Sequence, residues 1–231
     1  AAGHRVLTTK VAQEQLADFI NAENVDVLLV RSATTARAAL VDACPGLKMI
    51  GRGGVGMDNI DVDYAQSKGL IVFNTPAASS ESVAELVFAH LSGLLRFLHE
   101  SNRMMPLEGE SKFDGLKKAY GKGQELRGKT LGIIGFGRIG RAVARQGYGL
   151  GMHIVAHDPF VTDGSFDVVF ADGQKLSTSA AMRSMDELLA TSDAVSVHIA
   201  GKAEVLGAAE LAKMKKGSFL GVAFHTNKNI A

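Results

Sequence analysis

Short apolar runs alternate with helical patterns along the whole chain, which is typical of α/β proteins. The runs are β-branched and short, and they predict strands at 5–8, 25–30, 47–50, 70–73, 130–134, 153–156, 167–170, 194–197 and 218–223. Helical patterns lie between them at 36–42, 82–95, 138–150, from 184 onward and at 208–215. Because strands that alternate with helices form parallel βαβ units, we expect parallel sheets with binding sites at the carboxyl ends of the strands.

The longest helical pattern is followed by a stretch of different character. Ser82 and Glu85 have the spacing of a capping box, and the apolar positions after them predict one buried face. That face is formed by Val83, Leu86, Val87, Leu91, Leu94 and Leu95. Residues 100–127 are polar and rich in Gly and Lys, and we interpret them as a connector or as an arm that packs on another subunit, with a solvated loop as the alternative. The predicted domains are 1–98, a connector or dimerisation arm at 99–128, and 129–231.

Composition and charge exclude several classes of protein. Apolar residues make up 46% of the 231 residues and charged residues 21%, so the chain is not disordered. The net charge of +1 gives no basic excess for a nucleic-acid or anionic-membrane partner. No apolar run is long enough to span a membrane. Cys44 is the single cysteine and has no internal disulfide partner, so we expect a cytoplasmic protein.

The strongest motif is a glycine fingerprint that follows a strand. Gly135, Gly137 and Gly140 fit G-x-G-x-x-G at the start of a helix, and the next strand ends at Asp158. In a dinucleotide site these glycines allow the tight turn, the approach of the pyrophosphate and the close packing of helix on strand. The Asp158 carboxylate would accept the ribose hydroxyls and repel a 2′-phosphate, which favours NAD over NADP. A glycine-rich turn without a ligand is the alternative.

A second glycine cluster, at 51–56, lies at the end of another predicted strand, so its N–H groups would suit an anion. Arg31 and Arg52 also follow strand ends, where a guanidinium group would bind carboxylate or phosphate in two-point fashion. A structural ion pair is the alternative for each arginine.

Among the histidines, His198 follows a strand at the edge where a cofactor would lie, and His225 follows the last strand. No His, Cys, Asp or Glu grouping has the spacing of a metal site.

Several linked segments resemble the NAD-dependent D-isomer-specific 2-hydroxyacid dehydrogenases. They are Val30-Arg-Ser-Ala-Thr34, Gly51 to Asp61, Asn74-Thr-Pro76, Ser82 to Leu86, Leu126 to Gly140, His157-Asp-Pro159 and Met214 to Gly217. The resemblance implies a flavodoxin-like substrate domain and an NAD-binding Rossmann domain. The Arg-Ser-Ala-Thr element favours the phosphoglycerate-oxidising members, whose substrate is a small phosphorylated 2-hydroxy acid used in serine biosynthesis.

The resemblance also implies roles for individual residues. Gly53, Gly54 and Val55 would bind the substrate carboxylate through backbone N–H groups, and Arg31 and Arg52 would hold the anionic end of the substrate. The residues that would contact NAD are Gly135, Gly137, Arg138, Ile139, Gly140, Asp158, His198 and Ile199. The long helix and the arm would form the interface of a homodimer or a higher homo-oligomer.

The last segment departs from the family pattern. The family has an Asn-x-Ala-Arg-Gly-Gly segment after Lys-Lys-Gly, and its arginine polarises the substrate carbonyl; no arginine follows Arg183 here. The family's later acidic residue and histidine are also missing, and we expect the chain to be incomplete at both ends. His225 would be the catalytic histidine only if it stood outside the family's usual flanking sequence, because the residues around it do not match the family pattern.

Three explanations of this departure remain open: residues are missing from this sequence, the protein is a truncated product, or it is a natural relative without catalysis. We favour the first explanation. The first expected function is oxidation of 3-phospho-D-glycerate to 3-phosphohydroxypyruvate with NAD. The alternatives are another D-2-hydroxyacid dehydrogenase and a non-catalytic NAD-sensing protein on the same scaffold.

Overall fold

The computed structural model describes residues 3–199 and 204–222. The chain divides into two compact units, the first ending at Ser79 and the second beginning at Ser80. Each unit has its own sheet and its own apolar core. The α/β class with parallel sheets is therefore confirmed.

The first unit contains a three-stranded parallel sheet with the order β1-β2-β3. Its strands are β1 (Val27–Val30), β2 (Met49–Arg52) and β3 (Ile71–Asn74). Its helices are α1 (Leu16–Ala22), α2 (Ala38–Ala43) and α3 (Val62–Ser67), and a 3-10 turn at Gln13–Gln15 precedes α1. In the register of the sheet Arg52 lies beside Val30 and Asn74, so all three strands end at one edge.

The strand predicted at 5–8 is wrong, because this segment has no strand pairing. Val6 is 64% exposed, and Leu7 is exposed as well. The apolar core of the unit instead forms between the sheet and its helices, with Leu16, Ile20, Leu40 and Ile50 among its buried residues. Apolar composition alone therefore misassigned a segment that packs against no sheet.

The second unit contains a five-stranded parallel sheet with the order β10-β9-β4-β5-β8. Its strands are β4 (Thr130–Ile134), β5 (His153–His157), β8 (Ala181–Met182), β9 (Ala194–Val197) and β10 (Phe219–Val222). Ile134, at the end of β4, lies beside His157 on one neighbouring strand and Val197 on the other. The residues after these three strands therefore meet at one edge of the sheet.

The helices of the second unit are α4 (Ser80–Leu95), α5 (Leu98–Tyr120), α6 (Arg138–Gly149), α7 (Met185–Thr191) and α8 (Ala208–Leu211). Helices α4 and α6 contribute to one apolar cluster with β4, in which Phe88, Leu91 and Val143 are buried.

Two differences from the sequence interpretation concern α4. It begins at Ser80, two residues before the predicted cap, and its outer face exposes Leu94. It also belongs to the second unit, whereas the predicted boundary at 98 places it in the first.

The predicted connector is largely helical. Helix α5 covers Leu98–Tyr120 and is kinked at Lys112, where the backbone leaves the helical region. No residue of α5 is buried, so the helix has no buried apolar face from which the sequence could have revealed it. Its role as a dimerisation arm stays a prediction.

An antiparallel hairpin connects β5 to β8. It consists of β6 (Ser165–Val169) and β7 (Lys175–Ser179), where the sequence predicted one strand at 167–170. Parallel neighbours such as β5 and β8 are ordinarily joined by a helix, so this connection is unusual. The hairpin is fixed to the unit by Phe166, whose buried ring packs edge-on against Phe136 and Tyr148.

Candidate functional site

The glycine fingerprint forms a tight turn between β4 and α6. Gly135 has φ of +91°, a backbone conformation that residues other than glycine rarely adopt. Its N–H donates to the His157 carbonyl over 2.9 Å, which joins the turn to the end of β5. A Cβ at position 135 would lie 2.7 Å from the His198 carbonyl oxygen. Glycine is therefore required there by both conformation and space.

The other two glycines of the fingerprint have opposite surroundings. A Cβ at Gly140 would lie 2.1 Å from the Gly135 carbonyl oxygen, so the first turn of α6 packs directly on the glycine turn. A Cβ at Gly137 would meet no heavy atom within 4 Å. Gly137 is the residue before α6, Arg138 is exposed and Ile139 is half-buried. The structure thus leaves open space at the positive end of a helix, which fits a pyrophosphate group.

The Asp158 carboxylate is held beside this turn by backbone N–H groups. Its Oδ2 accepts from the N–H of Phe136 over 2.8 Å, within the fingerprint itself. Its Oδ1 accepts from the N–H groups of Phe160 and Val161 over 2.8 and 3.1 Å. A carboxylate has about four acceptor positions, so room remains for a ribose hydroxyl. The free acceptor position of the Asp158 carboxylate and its place beside the turn fit the hydroxyl groups of the adenosine ribose of NAD.

His198 lies behind the glycine turn. Its backbone N–H donates to the Ile134 carbonyl over 2.7 Å, and its Nε2 lies 2.8 Å from the Ser196 hydroxyl. Burial lowers the pKa of His198 to about 4, so the ring is neutral near pH 7. The Ile199 side chain also lies close to the turn, 3.0 Å from the position of a Cβ at Gly135. The structure therefore brings His198 and Ile199 together with the fingerprint, and their contact with a cofactor stays a prediction.

In the first unit, the loop after β2 is fixed by hydrogen bonds from neighbouring strand ends. The Gly53 N–H donates to the Val30 carbonyl over 3.0 Å, and the Gly54 N–H donates to the Thr75 hydroxyl over 3.0 Å. The Asn74 amide donates to the Val55 carbonyl over 2.6 Å. Since the N–H groups of Gly53 and Gly54 are engaged inside the protein, these two residues hold the shape of the loop.

The next two N–H groups of the loop differ. Within the described ranges, the N–H groups of Val55 and Gly56 donate to no protein acceptor. Of the three loop residues predicted to bind a carboxylate through backbone N–H groups, Val55 is the one whose N–H is available. Gly56 provides a second adjacent donor that the predicted set did not include.

The two predicted arginines lie at this same loop. A Cβ at Gly53 would lie 3.7 Å from Arg31 Cγ, and a Cβ at Gly54 would lie 3.9 Å from Arg52 Nη1. Neither guanidinium forms an ion pair with any carboxylate of the described residues. In addition, Arg52 Nε is buried and has no hydrogen-bond partner there. The structural ion-pair alternative is therefore not observed in the described ranges, and two arginines without ion pairs lie beside a loop with open N–H donors.

Three supporting residues were not identified from the sequence. Asn59 is buried, and its amide donates to the carbonyls of Arg31 and Thr34 over 2.8 and 2.7 Å, which fixes the backbone that carries Arg31. Asn74 and Thr75 fix the glycine loop. For Asn74 and Thr75, the available signal was their position at the end of β3, because polar residues at a strand end meet the neighbouring loops at that edge.

Two further features of the described chain bear on the site. The described residues contain no group of three or more His, Cys, Asp or Glu side chains that could hold a metal ion. Among them, no helix has both the length and the apolar character needed to cross a bilayer. His225, the candidate catalytic histidine, lies outside the described residues.

Comparison with known proteins gives relatives across most of the chain. The chain is 41% identical over 196 residues to a hydroxypyruvate reductase of Thermotoga maritima, covering 84% of this chain and 58% of that protein. It is 36% identical over 212 residues to a D-3-phosphoglycerate dehydrogenase of Bacillus subtilis, covering 90% of this chain and 38% of that protein. This chain therefore spans less than two thirds of the length of the first relative and less than half of the length of the second.

The structure is similar to solved structures as well. A D-lactate dehydrogenase from Aquifex aeolicus, complexed with NAD and lactic acid, matches with a TM-score of 0.65 and 29% identity, covering 93% of this chain and 59% of that chain. The TT0316 protein from Thermus thermophilus matches with a TM-score of 0.73 and 28% identity, covering 95% and 65%. The family model for the D-isomer specific 2-hydroxyacid dehydrogenase catalytic domain matches residues 2–204. The chain thus belongs to the D-isomer-specific 2-hydroxyacid dehydrogenase family.

Proposed function

We propose that the protein is an NAD-dependent oxidoreductase that oxidises 3-phospho-D-glycerate to 3-phosphohydroxypyruvate. The observation that carries the nucleotide part of the proposal is the open space at Gly137, beside a carboxylate anchored to the same turn. The family supports NAD as the cofactor, as does the NAD in the Aquifex aeolicus lactate dehydrogenase. Relatives that are D-3-phosphoglycerate dehydrogenases support the substrate.

The second unit would hold NAD through its backbone. The N–H groups at the start of α6, around Arg138 and Ile139, would contact the pyrophosphate, and Asp158 would accept a ribose hydroxyl. The neutral ring of His198 and the side chain of Ile199 would support the glycine turn from behind. When bound, NAD supplies the acceptor for the hydride that leaves C2 of the substrate.

The first unit would hold the substrate by its two anionic ends. The adjacent N–H groups of Val55 and Gly56 would bind the carboxylate, and the guanidinium groups of Arg31 and Arg52 would bind the phosphate. Oxidation of the C2 hydroxyl also releases a proton, which requires a base. His225 stays a candidate for that base and is not supported by its flanking residues.

A second candidate function is reduction of hydroxypyruvate, which has no phosphate. The 41% identity to the Thermotoga maritima hydroxypyruvate reductase favours it. The same loop N–H groups would bind the carboxylate of that substrate. The two candidates therefore differ in what the arginines do, because only the phosphorylated substrate needs two cations beyond the carboxylate site.

Calorimetric titration with 3-phospho-D-glycerate and D-glycerate distinguishes the candidates, using the variants Arg31→Gln and Arg52→Gln. The exposed Arg103 of α5 has no ion pair among the described residues and provides the control variant Arg103→Gln. If the proposal holds, each site variant binds the phosphorylated ligand about tenfold more weakly or worse, since a charge-assisted hydrogen bond is worth about 1.5–3 kcal/mol. Affinity for D-glycerate changes little, and the control changes neither affinity.

Equal binding of both ligands, unaffected by the arginine variants, would contradict the phosphorylated substrate and favour the second candidate. A protein that binds no NADH would contradict both. Cytoplasmic location and assembly as a homodimer or higher homo-oligomer stay predictions. Sedimentation of the purified protein tests the assembly.

A further inference from the structure

Gln13 holds the loop that carries Arg31 through both ends of its side-chain amide. Gln13 Nε2 donates to the Thr35 carbonyl over 2.9 Å, and Gln13 Oε1 accepts from the Thr35 N–H over 2.9 Å. The side chain therefore pairs with the backbone of Thr35 much as a neighbouring strand would. Gln13 lies in the 3-10 turn before α1, so one exposed side chain ties this turn to the loop that follows β1.

The loop, residues 31–35, is also held from its inner side. The buried Asn59 amide donates to the carbonyls of Arg31 and Thr34 over 2.8 and 2.7 Å. Directly after the loop, the Ala36 N–H donates to the Asn59 carbonyl over 2.9 Å. The inner side of the loop is therefore fixed by a buried residue, whereas its outer side is held by one exposed glutamine.

The two hydrogen bonds of Gln13 add little to the stability of the fold. Each of them replaces a hydrogen bond to water, so its net contribution is small. Holding a long glutamine side chain in one rotamer costs conformational entropy of comparable size. The main consequence of the contact is therefore order in the loop. A fixed loop presents Arg31 to an anion in one place and loses less freedom when the anion binds.

We propose that Gln13 is a positioning residue for Arg31 and sets the affinity of the site for the phosphate end of the substrate. This inference rests on the proposed function, in which the Arg31 guanidinium binds that phosphate. Gln13 acts through the backbone of the loop, because Thr35 engages both ends of its amide. The selectivity for a phosphorylated ligand thus depends on a residue that does not touch the ligand.

The test uses Gln13→Met, which keeps the length of the side chain and removes both amide groups. Gln15→Met is the matched control, because Gln15 is exposed in the same turn and its side chain forms no hydrogen bond with any described residue. Each substitution is made in the unmodified chain and in Arg31→Gln. Calorimetric titration gives the dissociation constants of 3-phospho-D-glycerate and D-glycerate, and urea unfolding gives the unfolding midpoint.

Gln13→Met is expected to bind 3-phospho-D-glycerate at least about threefold more weakly, while its affinity for D-glycerate and its unfolding midpoint are unchanged. In Arg31→Gln the same substitution is expected to cause no further loss, because the side chain that it positions is gone. Gln15→Met is expected to bind both ligands like the unmodified protein.

An equal loss of affinity from Gln13→Met with and without the Arg31 guanidinium would overturn this inference, since the contact would then support the whole unit. Unchanged affinity of Gln13→Met in a protein that Arg31→Gln weakens would overturn it as well and would leave the proposed function standing. An unmodified protein that binds 3-phospho-D-glycerate no more tightly than D-glycerate would overturn both this inference and the phosphorylated substrate.

Discussion

Replacement of Gly140 by alanine tests whether the fingerprint is built for close packing of α6 on the β4 turn. The new Cβ would lie 2.1 Å from the Gly135 carbonyl oxygen and 3.2 Å from the Ile133 side chain. The first of these atoms belongs to the backbone, and it is part of a turn that is itself tied to the His157 carbonyl. Relief of the overlap therefore requires α6 to move away from the sheet.

The expected cost follows from two opposing effects. Overpacking of a well-packed core costs about 1–3 kcal/mol, and we take the upper end because no flexible side chain can move aside. Alanine recovers up to about 1 kcal/mol through its higher helix propensity. Gly140→Ala is thus expected to lower the free energy of unfolding by about 2 kcal/mol.

Urea unfolding followed by circular dichroism measures this change. Gly149→Ala is the matched control in the same helix, because a Cβ there would meet no atom within 4 Å. The control is expected to leave stability unchanged or to raise it by about 0.5 kcal/mol. The packing argument would be refuted if Gly140→Ala were as stable as the unmodified protein. It would also be refuted if Gly140→Ala and Gly149→Ala changed the free energy of unfolding equally.

Two further predictions concern stability. Because burial lowers the pKa of His198 to about 4, the unfolded histidine binds a proton below pH 6.5 that the folded ring does not bind. The free energy of unfolding, measured with urea, is therefore expected to fall by about 3 kcal/mol between pH 6.5 and pH 4. A His198→Asn variant whose free energy of unfolding falls equally steeply with pH would contradict this. Ser184→Ala removes the side-chain oxygen that caps α7 and is expected to lower the free energy of unfolding by about 1 kcal/mol. The control Ser111→Ala, on the exposed helix α5, is expected to change it by less than about 0.5 kcal/mol. Equal effects of the two variants would contradict a stabilising role of the cap.

The elements that could be predicted from the sequence are those whose residues bury one continuous surface. Strand β9 was predicted with its observed bounds because all four of its residues are buried. The capping box of α7, from Ser184 to Glu187, was also predicted and is confirmed. In both cases a local pattern agrees with the tertiary packing, which is the condition under which a sequence pattern is informative.

Helix α5 and strand β7 could not be found in this way. No residue of α5 is buried, and β7 has a single apolar residue, Leu176, which is itself exposed, so neither element has an apolar period. Asp172-Gly173 at the hairpin turn was the available signal for β7, since this pair favours tight turns between strands.

The candidate site divides along the same line. The fingerprint glycines could be predicted because their roles are fixed by backbone conformation within one strand–turn–helix unit. Asn59 could not, because its contacts with the Arg31 and Thr34 carbonyls join segments about 25 residues apart. Which loop N–H groups are engaged likewise depends on Thr75 from another strand. Such contacts are set by the sheet register, which spacing alone does not show.

Titration of NADH into the unmodified protein and Gly137→Ala tests most directly whether the space at Gly137 is a nucleotide site. The added Cβ meets no protein atom, so the variant is expected to unfold within about 1 kcal/mol of the unmodified protein. It is expected to bind NADH at least about tenfold more weakly, because the methyl group occupies the path of the pyrophosphate. Equal NADH affinity in the two proteins, or no binding by the unmodified protein, would contradict the account.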